Sequence, residues 1–97
     1  MAAMWLTPEF PPTEQEDLLA RFMEELRKPT GDGAKKRAGN MKPPWYVDTS
    51  HMAAVYSHFM KRERGEMVDP DSGAHPYVHA AWRLLAIACI ETGNVPR

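Results

Sequence analysis

The chain has 97 residues, 43% of them hydrophobic, 26% charged and 9% aromatic. That is the composition of one small folded domain, not of a disordered segment. Twelve Lys and Arg against thirteen Asp and Glu leave a net charge of −1, which argues against nucleic acid as a partner, since that needs a clear basic excess.

No apolar run reaches the roughly 18–20 residues of a membrane span. The opening MAAMWLTPEFPP lacks the basic and apolar regions of a signal peptide. Cys89 is the single cysteine, which excludes a disulfide framework and favours the cytoplasm. A domain of this size buries only roughly 60–65% of its unfolded surface. Nine prolines and six glycines shorten the regular elements further. The expectation is a thin core completed by a second subunit or a metal.

Residues 1–12 read as an irregular arm, broken by Pro8, Pro11 and Pro12. Thr13-Glu14-Gln15-Glu16 has the form of a capping box. Leu18, Leu19, Phe22, Met23 and Leu26 follow at helical spacing. Arg27 and Lys28 suit a last turn, and Pro29 suits a stop. The first helix is therefore expected over 14–27.

Residues 29–48 read as a connector, rich in Gly, Pro, Asp and Asn. Arg27 to Lys42 holds six bases and one acid, net +5; Glu9 to Glu25 holds six acids and one base, net −5. Two readings stand open: a solvated loop facing its own acidic helix, or an anion-binding loop for phosphate. No P-loop spacing occurs.

A second helix is expected over 50–64, with Asp48, Thr49 or Ser50 as its cap and Gly65 just past its end. Met52, Val55, Tyr56, Phe59 and Met60 form its apolar stripe. A polar loop, Glu66 to Gly73, leads to a third helix over 76–91, opened by Pro76 and ended by Thr92-Gly93-Asn94. Apolar residues nearly encircle this third helix, so it is expected to be the most buried element. The fold class is all-α: a single domain over 1–97, with an arm at 1–12, a helix at 13–28, a connector at 29–48 and a helix–loop–helix at 49–94.

All four histidines lie between 51 and 79. His51 and His58 share a face of the second helix, and His75 and His79 open the third. Glu66, Asp69 and Asp71 lie in the loop between. Imidazoles and carboxylates together suit a divalent metal. Each also has a plainer reading: His51 in a first helical turn, His58 as a satisfied core residue, His75 as a cap, and Asp69 to Gly73 as a turn.

The run Gly65-Glu66-Met67-Val68-Asp69-Pro70-Asp71-Ser72-Gly73, ending in His79-Ala80-Ala81-Trp82, resembles a bacteriophage family. Its members read G-E-x-x-D-x-[DE]-S-G-x-x-x-x-x-H-A-A-W, with a histidine eight residues before the Glu, here His58. Lys42 to Asp48 is similar to the family's upstream region. The family is the phage dATP/dGTP diphosphohydrolases, relatives of the all-α MazG-like nucleotide pyrophosphohydrolases, and the resemblance covers roughly 39–94.

The resemblance implies hydrolysis of a purine dNTP to the monophosphate and pyrophosphate, assisted by Mg²⁺ or Mn²⁺. Glu66 and Asp69 would be catalytic and, with His58 and His79, would hold the metal. Lys61, Arg62 and Arg83 would meet phosphate, and Trp45 or Tyr46 would stack on the base. Two departures favour an alternative: Glu66-x-x-Asp69 runs into a loop containing Pro70 and not along a helix, and an acidic pair is missing. MazG-like enzymes carry a Glu-x-x-Glu pair on an earlier helix, and none stands in the second helix here; Met52 falls where an acid is sought, and Glu24 and Glu25 lie on helix one. The alternative is a catalytically degenerate small phage protein that binds and modulates a host protein. In either case a homodimer or higher homo-oligomer is expected.

Overall fold

The computed structural model describes residues 12–39 and 42–96. The expected arm lies, but for Pro12, outside the described residues. Three helices follow in order: α1 (Pro12–Ala38), α2 (His51–Glu63) and α3 (Pro76–Glu91). No strand occurs among the described residues. No helix there is long and apolar enough to cross a membrane.

The ends of α2 and α3 follow from local chemistry. Ser50 is the N-cap residue of α2, but its side chain makes no cap bond. Asp48 organises the turn instead: its Oδ1 accepts from the Ser50 backbone N–H at 2.8 Å and from the Ser50 hydroxyl at 2.6 Å. Beyond α2, Gly65 has φ 96°, a left-handed conformation that favours glycine. His75 caps α3, its Nδ1 accepting from Tyr77 N–H at 3.0 Å. Pro76 takes the first turn, where its missing donor is not needed.

α1 departs most from expectation. It begins at Pro12, a residue before the expected cap, and runs 27 residues, straight through Pro29, Gly31 and Gly33. Pro29 disfavours a helix interior by about 3 kcal/mol and each glycine by about 1 kcal/mol, which is why the sequence suggests a stop there. Contacts within α1 and from α3 accompany the helix past these residues. Trp82 Nε1 donates to Thr30 Oγ1 at 2.8 Å, and the Thr30 hydroxyl donates back to the Leu26 carbonyl at 2.7 Å. Lys36 pairs with Asp32 at 2.9 Å, one turn apart. Arg37 lies over the Trp82 ring, 5.3 Å from its centroid.

α3 is the hub, packing against both α2 and α1. The buried apolar core is small: Val55, Ala74, Ala80 and Ala86. Among the described residues no large side chain is fully buried. Phe22 is 53% exposed and Phe59 40%, so the apolar stripes of α1 and α2 are only partly covered. The thin core is as expected; the small residues in it let α3 approach its neighbours closely.

Candidate functional site

A polar cleft of about 270 Å³ lies between the second half of α1, the loop before α3, and the facing sides of α2 and α3. The loop delivers Asp69. Its Oδ1 accepts from the backbone N–H of Asp71 at 2.9 Å and of Ser72 at 3.1 Å. Its own N–H donates to the Ala74 carbonyl, and Gly73 N–H donates to the Asp69 carbonyl, each at 2.8 Å. The turn is thus closed on itself, with Asp69 Oδ2 left 4.0 Å from His79 Nε2. Burial raises the Asp69 pKa, but the two backbone donors, helped by His79 and Lys61, outweigh it and hold the carboxyl below its usual value.

His58 from α2 and His79 from α3 stack with centroids 4.7 Å apart. Burial, then the neighbouring His79, pushes His58 down to about 4. Burial also lowers His79, against the pull of Asp69 and Asp32. Both imidazoles are therefore neutral at pH 7. His58 Nδ1 is buried with no hydrogen-bond partner among the described residues. His79 Nε2 shares a hydrogen with Ser72 Oγ at 2.6 Å.

Cations from all three helices line the same cleft. Arg83 is 8% exposed. Its Nη1 donates to Asp48 Oδ2 at 3.2 Å and to His51 Nδ1 at 3.0 Å. A guanidinium only donates, so His51 Nδ1 accepts and its Nε2–H donates to the Trp45 carbonyl at 2.6 Å. Burial raises the Asp48 pKa, but the Ser50 hydrogen bonds, then His51 and Arg83, bring it down to about 2. Lys36, Arg37, Lys42 and Lys61 also line the cleft. Arg37, Lys42 and Lys61 form no ion pair among the described residues.

The sequence-derived site is thus partly assembled. Asp69, His58, His79, Lys61 and Arg83 meet at the cleft. Glu66 does not line it; its side chain is 42% exposed and takes a 3.4 Å bond from Arg64. Arg62 lies on α2 outside the lining, and Tyr46 stands edge-on to Trp45. Trp45 lines a separate apolar groove of about 590 Å³, shared with Met23, Leu26 and Leu85. The plainer readings of two histidines hold: His51 is a buried structural residue and His75 a cap.

Asp32, Lys36, Arg37 and Lys42 are charged cleft residues that the sequence marks only as a group. The signal for them is the net charge of the 27–42 stretch, one of whose two readings is an anion-binding loop.

The cleft fits a cation in one manner only. Among the described residues, no three His, Cys, Asp or Glu side chains converge as a preformed metal cage. Mg²⁺, however, commonly uses one or two carboxylates and completes its shell with water and substrate phosphate. Ionised Asp69, with Asp71 and Asp32 on the same lining, suits a cation of that kind.

These features define a small all-α domain built around a cation-rich cleft that holds an ionised carboxylate and a neutral imidazole pair. The family model described as dATP/dGTP diphosphohydrolase, N-terminal, matches residues 12–94, and the chain belongs to that family. No curated protein and no solved structure matches the chain.

Proposed function

We propose that the chain hydrolyses a purine deoxynucleoside triphosphate, dATP or dGTP, to the monophosphate and pyrophosphate, acting in the cytoplasm of a phage-infected host. The observation that carries this reading is the cleft itself: Asp69 and the His58–His79 pair share one lining with Lys36, Arg37, Lys42, Lys61 and Arg83. Such a wall balances the charge of a triphosphate. His79, neutral and beside Ser72, is suited to take the proton of an attacking water. Water attacks the α-phosphorus, the bond to the bridging oxygen breaks, and pyrophosphate leaves with the electron pair. Arg83, locked by Asp48 and His51, is a pre-placed cation for the charge that develops on the phosphates. Mg²⁺ or Mn²⁺ at Asp69 would neutralise phosphate charge and acidify water.

The test is a panel of dNTPs with Mg²⁺ and with Mn²⁺, assayed for pyrophosphate release. Release from dATP or dGTP is expected. No release from any dNTP with either metal removes the enzyme reading.

The groove lined by Met23, Leu26, Trp45 and Leu85 supports two further proposals. Leu19, Phe22, Met23 and Leu85 are each about half exposed, an apolar surface suited to a second copy of the chain. We therefore propose a homodimer or higher homo-oligomer, for which light scattering at the monomer mass is the adverse result. The same surface favours the second reading, a degenerate scaffold that binds a host protein, should no turnover be found.

A further inference from the structure

The cations of the cleft are not equivalent. Arg83 is committed to Asp48 and His51, and Lys36 to Asp32. Arg37 is not committed in this way. Its Nε donates to the Pro43 carbonyl at 3.0 Å, and its guanidinium lies over Trp82. Nη2 is buried with no hydrogen-bond partner among the described residues. A buried donor left unpaired is unfavourable, so this atom needs an acceptor.

Gly33 shows how the guanidinium comes to lie there. Gly33 is one turn before Arg37 on α1 and also lines the cleft. A Cβ at position 33 would stand 2.6 Å from Arg37 Nη1, closer than non-bonded atoms approach. At Gly31, two residues earlier on the same helix, a Cβ would meet nothing within 4 Å. Glycine in a helix interior is unfavourable. At 33, unlike at 31, that weakness makes room for a charged group at the cleft wall.

We propose that Gly33 and Arg37 form a phosphate-binding notch: the missing side chain at 33 lets the Arg37 guanidinium lie back along α1 and present Nη2 to a phosphate oxygen of the nucleoside triphosphate. This rests on the reading of the cleft as a triphosphate site and adds a named recognition residue to it. Burial and the neighbouring Arg83 both disfavour the charged form of Arg37, so an anion at the notch relieves an electrostatic imbalance already present.

The experiment is calorimetry with tripolyphosphate, without metal, on wild type and three variants, alongside thermal melts. Arg37→Met is expected to weaken binding roughly tenfold or more, the value of a charge-assisted hydrogen bond. Gly33→Ala and Gly31→Ala should both raise the melting temperature. Only Gly33→Ala should weaken binding, because only there does the new methyl displace the guanidinium. A variant that is more stable yet binds worse cannot be explained by misfolding. Equal affinity for the two alanine variants, wild-type affinity for Arg37→Met, or no tripolyphosphate binding by wild type overturns the proposal. Binding that depends on Arg37 in a chain releasing no pyrophosphate from any dNTP leaves the notch standing and removes the enzyme reading.

Discussion

The cleft has two walls of different origin. The α2–loop–α3 wall is coded locally: caps at His75, glycine at 65 and 73, and an Asp69 turn closed by its own backbone bonds within six residues. The α1 wall, from Pro29 to Ala38, is coded against itself. It contains a proline and two glycines, yet it is helical, and Trp82, from a distant part of the chain, bonds Thr30 and lies beneath Arg37. The contrast teaches that one wall of such a site is carried by short-range chemistry while the other depends on docking.

The largest expected effect tests the anchor beneath the local wall. Asp48→Asn removes the charge opposing Arg83, and both side chains are nearly buried. Leaving a buried charge unpaired should destabilise the fold by about 3 kcal/mol, measured by urea unfolding. A loss below about 1 kcal/mol would mean that the Asp48–Arg83 pair is not what ties the α2 entry to α3.

The next effect is catalytic and separates two acids. If the chain turns over dNTPs, Asp69→Asn should lower pyrophosphate release by roughly 100-fold or more, with the helical circular dichroism unchanged. Glu66→Gln should lose less, because Glu66 stands outside the lining beside Arg64. Equal losses would return Glu66 to the site.

A smaller effect probes the docked wall. Trp82→Phe keeps an aromatic face but deletes the donor to Thr30. The expected loss is about 1 kcal/mol, with faster amide exchange over 30–38 and little change over α2. Uniform acceleration across all three helices would erase the distinction between the walls.

A further effect is a slope with pH, spread over two windows. His58 titrates near 6.5 unfolded and about 4 folded. The folded state therefore binds fewer protons between those values, and stability falls as the pH drops through that window. Asp48, at 3.8 unfolded and about 2 folded, adds its own loss only below that, between about 4 and 2. In urea titrations, His58→Gln should reduce the slope in the upper window, leaving the share of His79, which burial also lowers, and should leave the lower window unchanged. The reverse result would place the acid sensitivity at the carboxylates Asp48 and Asp69.

Much of this was legible because it is local. Capping residues, helical spacing and turn formers act within a few residues, so the all-α class, α2 and α3 could be read directly, as could the motif from Gly65 to Trp82 and the family it belongs to. Asp69, His58 and His79 were legible as a group because a helix–loop–helix returns its two arms to one end.

What the sequence determined by itself is therefore the hairpin, its caps, and the presence of a basic stretch. Only the tertiary structure decided that this stretch is a helix. The penalties of Pro29, Gly31 and Gly33 are intrinsic and visible, whereas the compensating bond from Trp82 spans 52 positions and has no local signature. The same docking decided that Asp32, Lys36 and Arg37 face the cleft, and that Glu66, three residues from Asp69, does not: side-chain direction follows from packing, which spacing alone does not encode.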